Sequence, residues 1–196
     1  MKKIILVALM ALTFISASSQ EMGKFRVGLD FGFVPSSGGG GGMISFEPKY
    51  NLTDNMNVGL RLGGVAIAKD FQDNGSTTTA KVSANSSFVG TYDYYIHKSG
   101  SSFAPYIGAG VGYYSLANVE VNDSANSQDI NPSVTGEMGA LVRAGFEWGK
   151  FRMGVEYNFV PDSDLENLNG DKIGVVSNAY LGIHLGFYLG GGKWNK

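Results

Sequence analysis

In eight segments between Lys24 and Leu189, apolar residues recur at every second position. That is the period of a β-strand, whose successive side chains point to opposite faces; a helix would need a period near 3.6. Eight strands are predicted, at 24–34, 43–51, 56–68, 81–96, 103–121, 134–148, 151–160 and 173–190. The first places Phe25, Val27, Leu29, Phe31 and Phe33 on one face. The seventh places Phe151, Met153, Val155, Tyr157 and Phe159 there, and the last runs through Leu181, Ile183, Leu185, Phe187 and Leu189. The expected fold is all-β: one eight-stranded antiparallel up-and-down barrel occupying residues 20–196.

The two faces differ in charge. None of the residues on the apolar face is charged. The opposite face carries seven basic residues (Lys24, Arg26, Lys49, Arg61, Lys81, Arg143, Arg152) and seven acidic ones (Asp30, Glu47, Asp93, Glu120, Glu137, Glu147, Glu156). One apolar face is also what a soluble, lipocalin-like barrel would have, turned inward. The 29 glycines separate the two readings, because in the strands they fall mostly on the polar face, as at Gly108, Gly110 and Gly112. A narrow membrane barrel crowds its polar face into the interior, where glycine makes room for long ion pairs. A soluble barrel has open space on that side. The apolar face therefore meets lipid, with Leu60, Val142, Val155 and Leu181 among its residues.

The connections are read as alternately long and short: 35–42, 69–80, 122–133 and 161–172 against 52–55, 97–102 and 149–150. Membrane barrels have long extracellular loops and short periplasmic turns. With an even number of strands, both termini of the mature chain are then expected in the periplasm. On the apolar face, Phe25, Tyr50, Tyr92, Tyr94, Phe103, Trp148, Phe151 and Phe187 gather at the periplasmic strand ends, where amphipathic rings favour the headgroup level. Residues 1–19 read as a signal peptide: Lys2 and Lys3, an apolar run from Ile4 to Ile15, then small residues before Gln20. Its removal leaves 13 basic and 17 acidic residues. An acidic chain with a pI near 5.6 gives no reason to expect nucleic acid, and the absence of cysteine excludes disulfides and thiolate metal sites.

The segment Pro105-Tyr106-Ile107-Gly108-Ala109-Gly110-Val111-Gly112-Tyr113 resembles the small eight-stranded outer-membrane barrels, the group containing OmpX, OmpW and the membrane domain of OmpA. It is most similar to the bacterial outer membrane protein beta-barrel domain family, often labelled porin-like. The last strand matches that family's C-terminal assembly signal at Tyr180, Gly182, Leu185 and Phe187, although nine residues follow Phe187 where the usual signal ends the chain. The resemblance implies location in the cell outer membrane, contact with its lipid and lipopolysaccharide, and recognition by the barrel-assembly machinery.

Catalytic constellations are searched for and set aside. There are two histidines, His97 in a turn and His184 inside the barrel, and no cysteine nucleophile. The run Gly38–Gly42 lacks the Lys-Ser/Thr ending of a phosphate loop. The acidic stretch Asp162, Asp164, Glu166 and Asp171 lacks the spacing of a calcium loop. No catalytic residue, metal or cofactor is expected, and the protein reads as a monomer that is not an enzyme. The candidate site is an interior charge network of Arg26, Asp30, Glu47, Lys49, Arg61, Asp93, Glu137, Arg143, Glu147, Arg152 and Glu156, with His184. Two functional classes remain. One is a structural or surface-interaction barrel plugged by paired charges, meeting an extracellular partner through loops 69–80 and 122–133. The alternative is a narrow porin-like channel for small solutes.

Overall fold

In a computed structural model, which describes residues 20–36, 39–72, 78–96, 101–121, 133–166 and 172–192, the chain closes into an eight-stranded barrel. The strands are β1 (Phe25–Ser36), β2 (Gly39–Thr53), β3 (Met56–Gln72), β4 (Thr78–Tyr95), β5 (Phe103–Val121), β6 (Ser133–Trp148), β7 (Phe151–Phe159) and β10 (Tyr180–Gly190). Neighbours in sequence are neighbours in space, all antiparallel, and β10 closes the ring against β1, with Leu29 opposite Phe187. The expected signal peptide and His97 lie outside the described residues.

Burial follows the predicted parity, with the soluble pattern inverted. In β7, Arg152, Gly154, Glu156 and Asn158 are buried while Phe151 to Phe159 alternate outward. Leu60, Val142, Val155 and Leu181 are 41–48 % exposed, whereas Arg152 and Glu47 are 0 % exposed. Burying charge while exposing aliphatic surface is unfavourable in water. It is the expected arrangement in hydrocarbon, where closure also leaves no unpaired backbone edge within the membrane.

Three predicted boundaries change. The 35–42 loop does not exist as a loop: β1 and β2 pair as far as Pro35 opposite Gly40 and Ser36 opposite Gly39, so only 37–38 separate them. Glycines that read as turn chemistry are strand residues, and at Gly41 a Cβ would stand 2.9 Å from the Ile67 Cα of β3. That close approach admits only hydrogen there. This connection is as short as the turn at 54–55, so long and short connections do not alternate throughout. Second, β3 and β4 pair to Gln72 opposite Thr78, and loop 69–80 shrinks to 73–77. Third, the predicted last strand is broken. Its first part, β9 (Lys172–Val176), pairs with β8 (Ser163–Glu166) in a separate two-stranded sheet, and the barrel strand begins at Tyr180. Between them, Asn178 donates through its side-chain amide to the Pro161 carbonyl (2.7 Å), tying the chain that leaves β7 to the chain that enters β10.

The rim is lopsided at the end opposite the termini. Strands β3 to β6 have 17, 18, 19 and 16 residues, whereas β7 has 9 and β10 has 11. A membrane strand needs only about 9–11. The surplus of β3–β6 therefore stands beyond the bilayer as an upright sheet.

Candidate functional site in the barrel lumen

The lumen is filled from the terminal end upward by layers of side chains. At the base, the Gln20 amide donates to the Thr53 carbonyl (3.1 Å) and accepts from Asn57 (3.2 Å). Asn51 donates to the carbonyls of Glu21 and Gly191, both at 3.0 Å. Gly190 and Gly191 have φ of 82° and 84°, a conformation that favours glycine, and they turn the chain beneath the barrel. This is how residues beyond Phe187 are accommodated. Beside them, Lys150 in the β6–β7 turn donates to the Gly190 carbonyl. Partial burial, reinforced by the Arg26 charge, lowers its ammonium to about 8.

Next comes the ionic layer. Arg26 forms a two-pronged pair with Glu147, and the Tyr95 hydroxyl donates to the same carboxylate (2.7 Å). The Arg26 guanidinium stacks on the Tyr188 ring, 4.0 Å from its centroid. At the centre, Arg143 donates to Glu47 through both Nη atoms (2.7 and 3.2 Å) and to Asp93 through Nε (2.8 Å). Lys49 joins both carboxylates, Thr91 donates to Glu47 (2.6 Å), and Arg152 reaches Glu47 at 3.3 Å. Arg152 also donates to the hydroxyls of Tyr106 and Tyr188. Above this, Arg61 pairs with Glu156 (2.7 Å), and Asn158 donates to the same oxygen. His184 lies 3.3 Å from the Tyr106 hydroxyl through Nε2 and 3.8 Å from Glu156 through Nδ1.

Glycine makes these layers fit. A Cβ at Gly28 would collide with the Tyr188 ring, and one at Gly139 would stand 2.8 Å from the Tyr114 ring. Small residues on one strand thus receive the inward tyrosines of another, and the tyrosines orient the guanidinium groups.

The expected network is brought together in most of its members. Asp30 is buried but has no ion pair among the described residues; it accepts a hydrogen bond from Ser45 (3.3 Å). Glu137 does not reach the network: it is half-buried, higher on β6, with no ion pair among the described residues. Lys24 is exposed before β1, and Lys81 and Glu120 stand opposite each other in the tall sheet. Of the residues matched to the assembly signal, Tyr180 and Gly182 face the lumen, and Leu185 and Phe187 face outward.

Sequence reading missed a layer. Above the charges the lumen turns apolar: Val34, Met43, Val65, Val89, Leu116, Leu141 and Val160 are buried together with Tyr114 and Tyr180. They lie on the polar parity, one or two per strand, and were legible only as interruptions at matching heights. Met43 stands opposite Val65, for instance, and Val65 opposite Asn85, which stands opposite Leu116.

A closed antiparallel barrel with an aliphatic and aromatic exterior and a charged, filled interior is an integral membrane barrel. The sequence profile of the outer membrane protein beta-barrel domain matches residues 4–187. The chain belongs to that family and is a protein of the cell outer membrane. Among solved structures it is similar to OprG of Pseudomonas aeruginosa (13 % identity, 87 % of this chain and 98 % of that one, TM-score 0.49). It is similar also to the N-terminal barrel domain of Pseudomonas aeruginosa OprF (15 % identity, 87 % and 100 %, TM-score 0.46). A third is Neisserial surface protein A (16 % identity, 85 % and 96 %, TM-score 0.46). No curated protein matches the sequence.

Proposed function

We propose that this protein is a sealed barrel that anchors an upright sheet at the cell surface, and that it does not conduct solutes. One observation carries the reading: the lumen is blocked twice, by an ionic layer centred on Glu47 and Arg143 and by an apolar layer around Met43 and Leu141. A solute crossing it would have to break buried ion pairs and then enter an apolar constriction of the kind that gates by dewetting. The small size of an eight-stranded barrel supports the same reading, since its interior is just wide enough for side chains to fill.

In this reading the termini are periplasmic and the tall β3–β6 end is extracellular, because the broadest connections, 122–132 and 160–179, leave from that end. The apolar exterior contacts outer-membrane lipid and lipopolysaccharide, and the β10 residues Tyr180, Gly182, Leu185 and Phe187 serve recognition by the barrel-assembly machinery. The extracellular partner surface is the sheet that carries segments 69–80 and 122–133. The test is single-channel recording of the refolded protein in a planar bilayer. A flat baseline is expected; stable openings of porin size would replace this reading with that of a channel.

A further inference from the structure

We propose that Asn51 and Asn57, at the base of the barrel, form a docking site for the chain's own amino terminus, created when residues 1–19 are cut away between Ser19 and Gln20. The cut is a hydrolysis by a leader peptidase. Water adds across the peptide bond, Ser19 leaves as a carboxylate, and both hydrogens of the water end on the Gln20 nitrogen, which becomes an ammonium group near neutral pH. The inference is independent of the sealed-barrel reading, since it concerns processing and the base of the barrel, not passage through it.

Asn51 and Asn57 stand opposite each other in the β2–β3 ladder, and both are fully buried. Their amide nitrogens are in use. Asn51 donates to the Glu21 and Gly191 carbonyls (both 3.0 Å), and Asn57 donates to the side-chain oxygen of Gln20 (3.2 Å). Their carbonyl oxygens are not in use: neither Oδ1 has a hydrogen-bond donor among the described residues. A buried polar atom without a partner calls for an explanation. Reversing the amides does not supply one. A reversed Asn51 would set its oxygen against two carbonyls. A reversed Asn57 would force the Gln20 amide over as well, and the Gln20 oxygen would then face the Thr53 carbonyl to which Gln20 now donates (3.1 Å).

The missing donors belong to the residue at which the chain is cut. Gln20 is 2 % exposed, whereas Met22, Gly23 and Lys24 are exposed, so the chain turns back under the barrel at Gln20. Gln20 bonds Asn57, and the adjoining Glu21 bonds Asn51. The Glu21 N–H is already given to the Gly191 carbonyl (2.5 Å), which leaves the main-chain nitrogen of Gln20 to serve the two oxygens. In an uncut chain that nitrogen carries one N–H and satisfies one acceptor. As an ammonium it carries three, enough for both. Ala17, Ser18 and Ser19 are the small residues that a leader peptidase requires before its cut, so the same bond is indicated from both sides. The charge created lies at the mouth of the barrel, one residue from the Glu21 carboxylate.

The experiment compares the full mature chain beginning at Gln20 with the same chain carrying an added glycine before Gln20, each with and without Asn57→Leu, all refolded in detergent micelles. Heat-modifiable migration confirms that each is a folded barrel. The terminal amine is labelled with an amine-reactive ester, and its rate is read by mass spectrometry of the N-terminal peptide. In the parent, labelling should be about tenfold slower than in the glycine-extended chain, the order expected of hydrogen bonds to a charged group. Asn57→Leu should speed labelling in the parent and leave the extended chain unchanged. Equal rates in the parent and the extended chain, or the same effect of Asn57→Leu in both, would overturn the docking and reduce the asparagines to packing. N-terminal sequencing of the protein isolated from outer membranes gives a second reading, which does not depend on any variant folding. It should begin at Gln20 with a free amine. A start at another residue, or a Gln20 cyclised with loss of ammonia, would overturn the assignment. None of these outcomes touches the sealed-barrel reading, which stands or falls on conductance.

Discussion

Arg143 and Glu47 lie 96 residues apart and meet at the centre of the lumen through two hydrogen bonds, at 2.7 and 3.2 Å. Arg143 also holds Asp93, so one guanidinium joins the carboxylates of β2 and β4 to β6. Removing one partner of a buried pair strands the other charge and typically costs about 3–5 kcal/mol. Arg143→Met should destabilise by that order, and Arg143→Met combined with Glu47→Gln should cost less than the two single changes together. Urea unfolding in detergent micelles measures both. Strict additivity would mean that the two residues are not coupled.

The outward parity gives a second expectation. Val142 is the residue next to Arg143 and faces the opposite way. Val142→Arg puts a cation on the lipid face at mid-depth, a change worth about 2–4 kcal/mol in membrane barrels. Refolding into bilayers with parental stability would show that inside and outside are reversed.

Glycine close approach predicts a contrast between two substitutions of identical chemistry. Gly28→Ala drives a methyl into the Tyr188 ring, which Arg26 and Arg152 hold in place. Overpacking of this kind costs about 1–3 kcal/mol. Gly42→Ala meets nothing within 4 Å and should be near neutral. Equal effects on the unfolding midpoint would remove the packing role given to the inward glycines.

Period-two alternation made the barrel, its strand number and its inside–outside assignment legible, because closure and lipid leave one parity no choice but apolar. The strand ends were less so. In the sequence, 69–72 and 78–80 show no clean apolar–polar alternation and so read as loop, although they are paired with each other in the ladder. Gly39–Gly42 read as a turn because glycine serves both turns and tight strand contacts, and only the neighbour, here Ile67, decides between them. The charge network was readable as a set of residue types on one face, but its membership was not. Glu137 has the parity of Arg143 and differs only in height, which puts it above the apolar layer instead of among the guanidinium groups.

The base of the barrel should respond to pH through Lys150. Its ammonium, lowered to about 8 from an ordinary 10.5, is disfavoured by the fold. The folded state therefore binds fewer protons than the unfolded chain between these values, and stability should rise as pH climbs through that window. The unfolding midpoint of the parent, relative to Lys150→Met, is expected to increase from pH 7.5 to pH 10. A difference that is flat or falls would contradict the lowered value.

The two seals can be separated by the order in which they are removed. The apolar layer lies above the ionic one, so the Arg143→Met, Glu47→Gln variant should remain electrically silent: Val89, Leu141 and Met43 still close the lumen. Glu137→Ala should also be silent, since Glu137 belongs to neither layer. Adding Val89→Ser and Leu141→Ser to the charge variant wets the constriction, and brief small openings are expected only then, since hydrophobic constrictions gate by dewetting. Heat-modifiable migration confirms that each variant is a folded barrel before its currents are compared. If the charge variant alone opens, the apolar layer is packing without a sealing role and the ionic layer is the only gate.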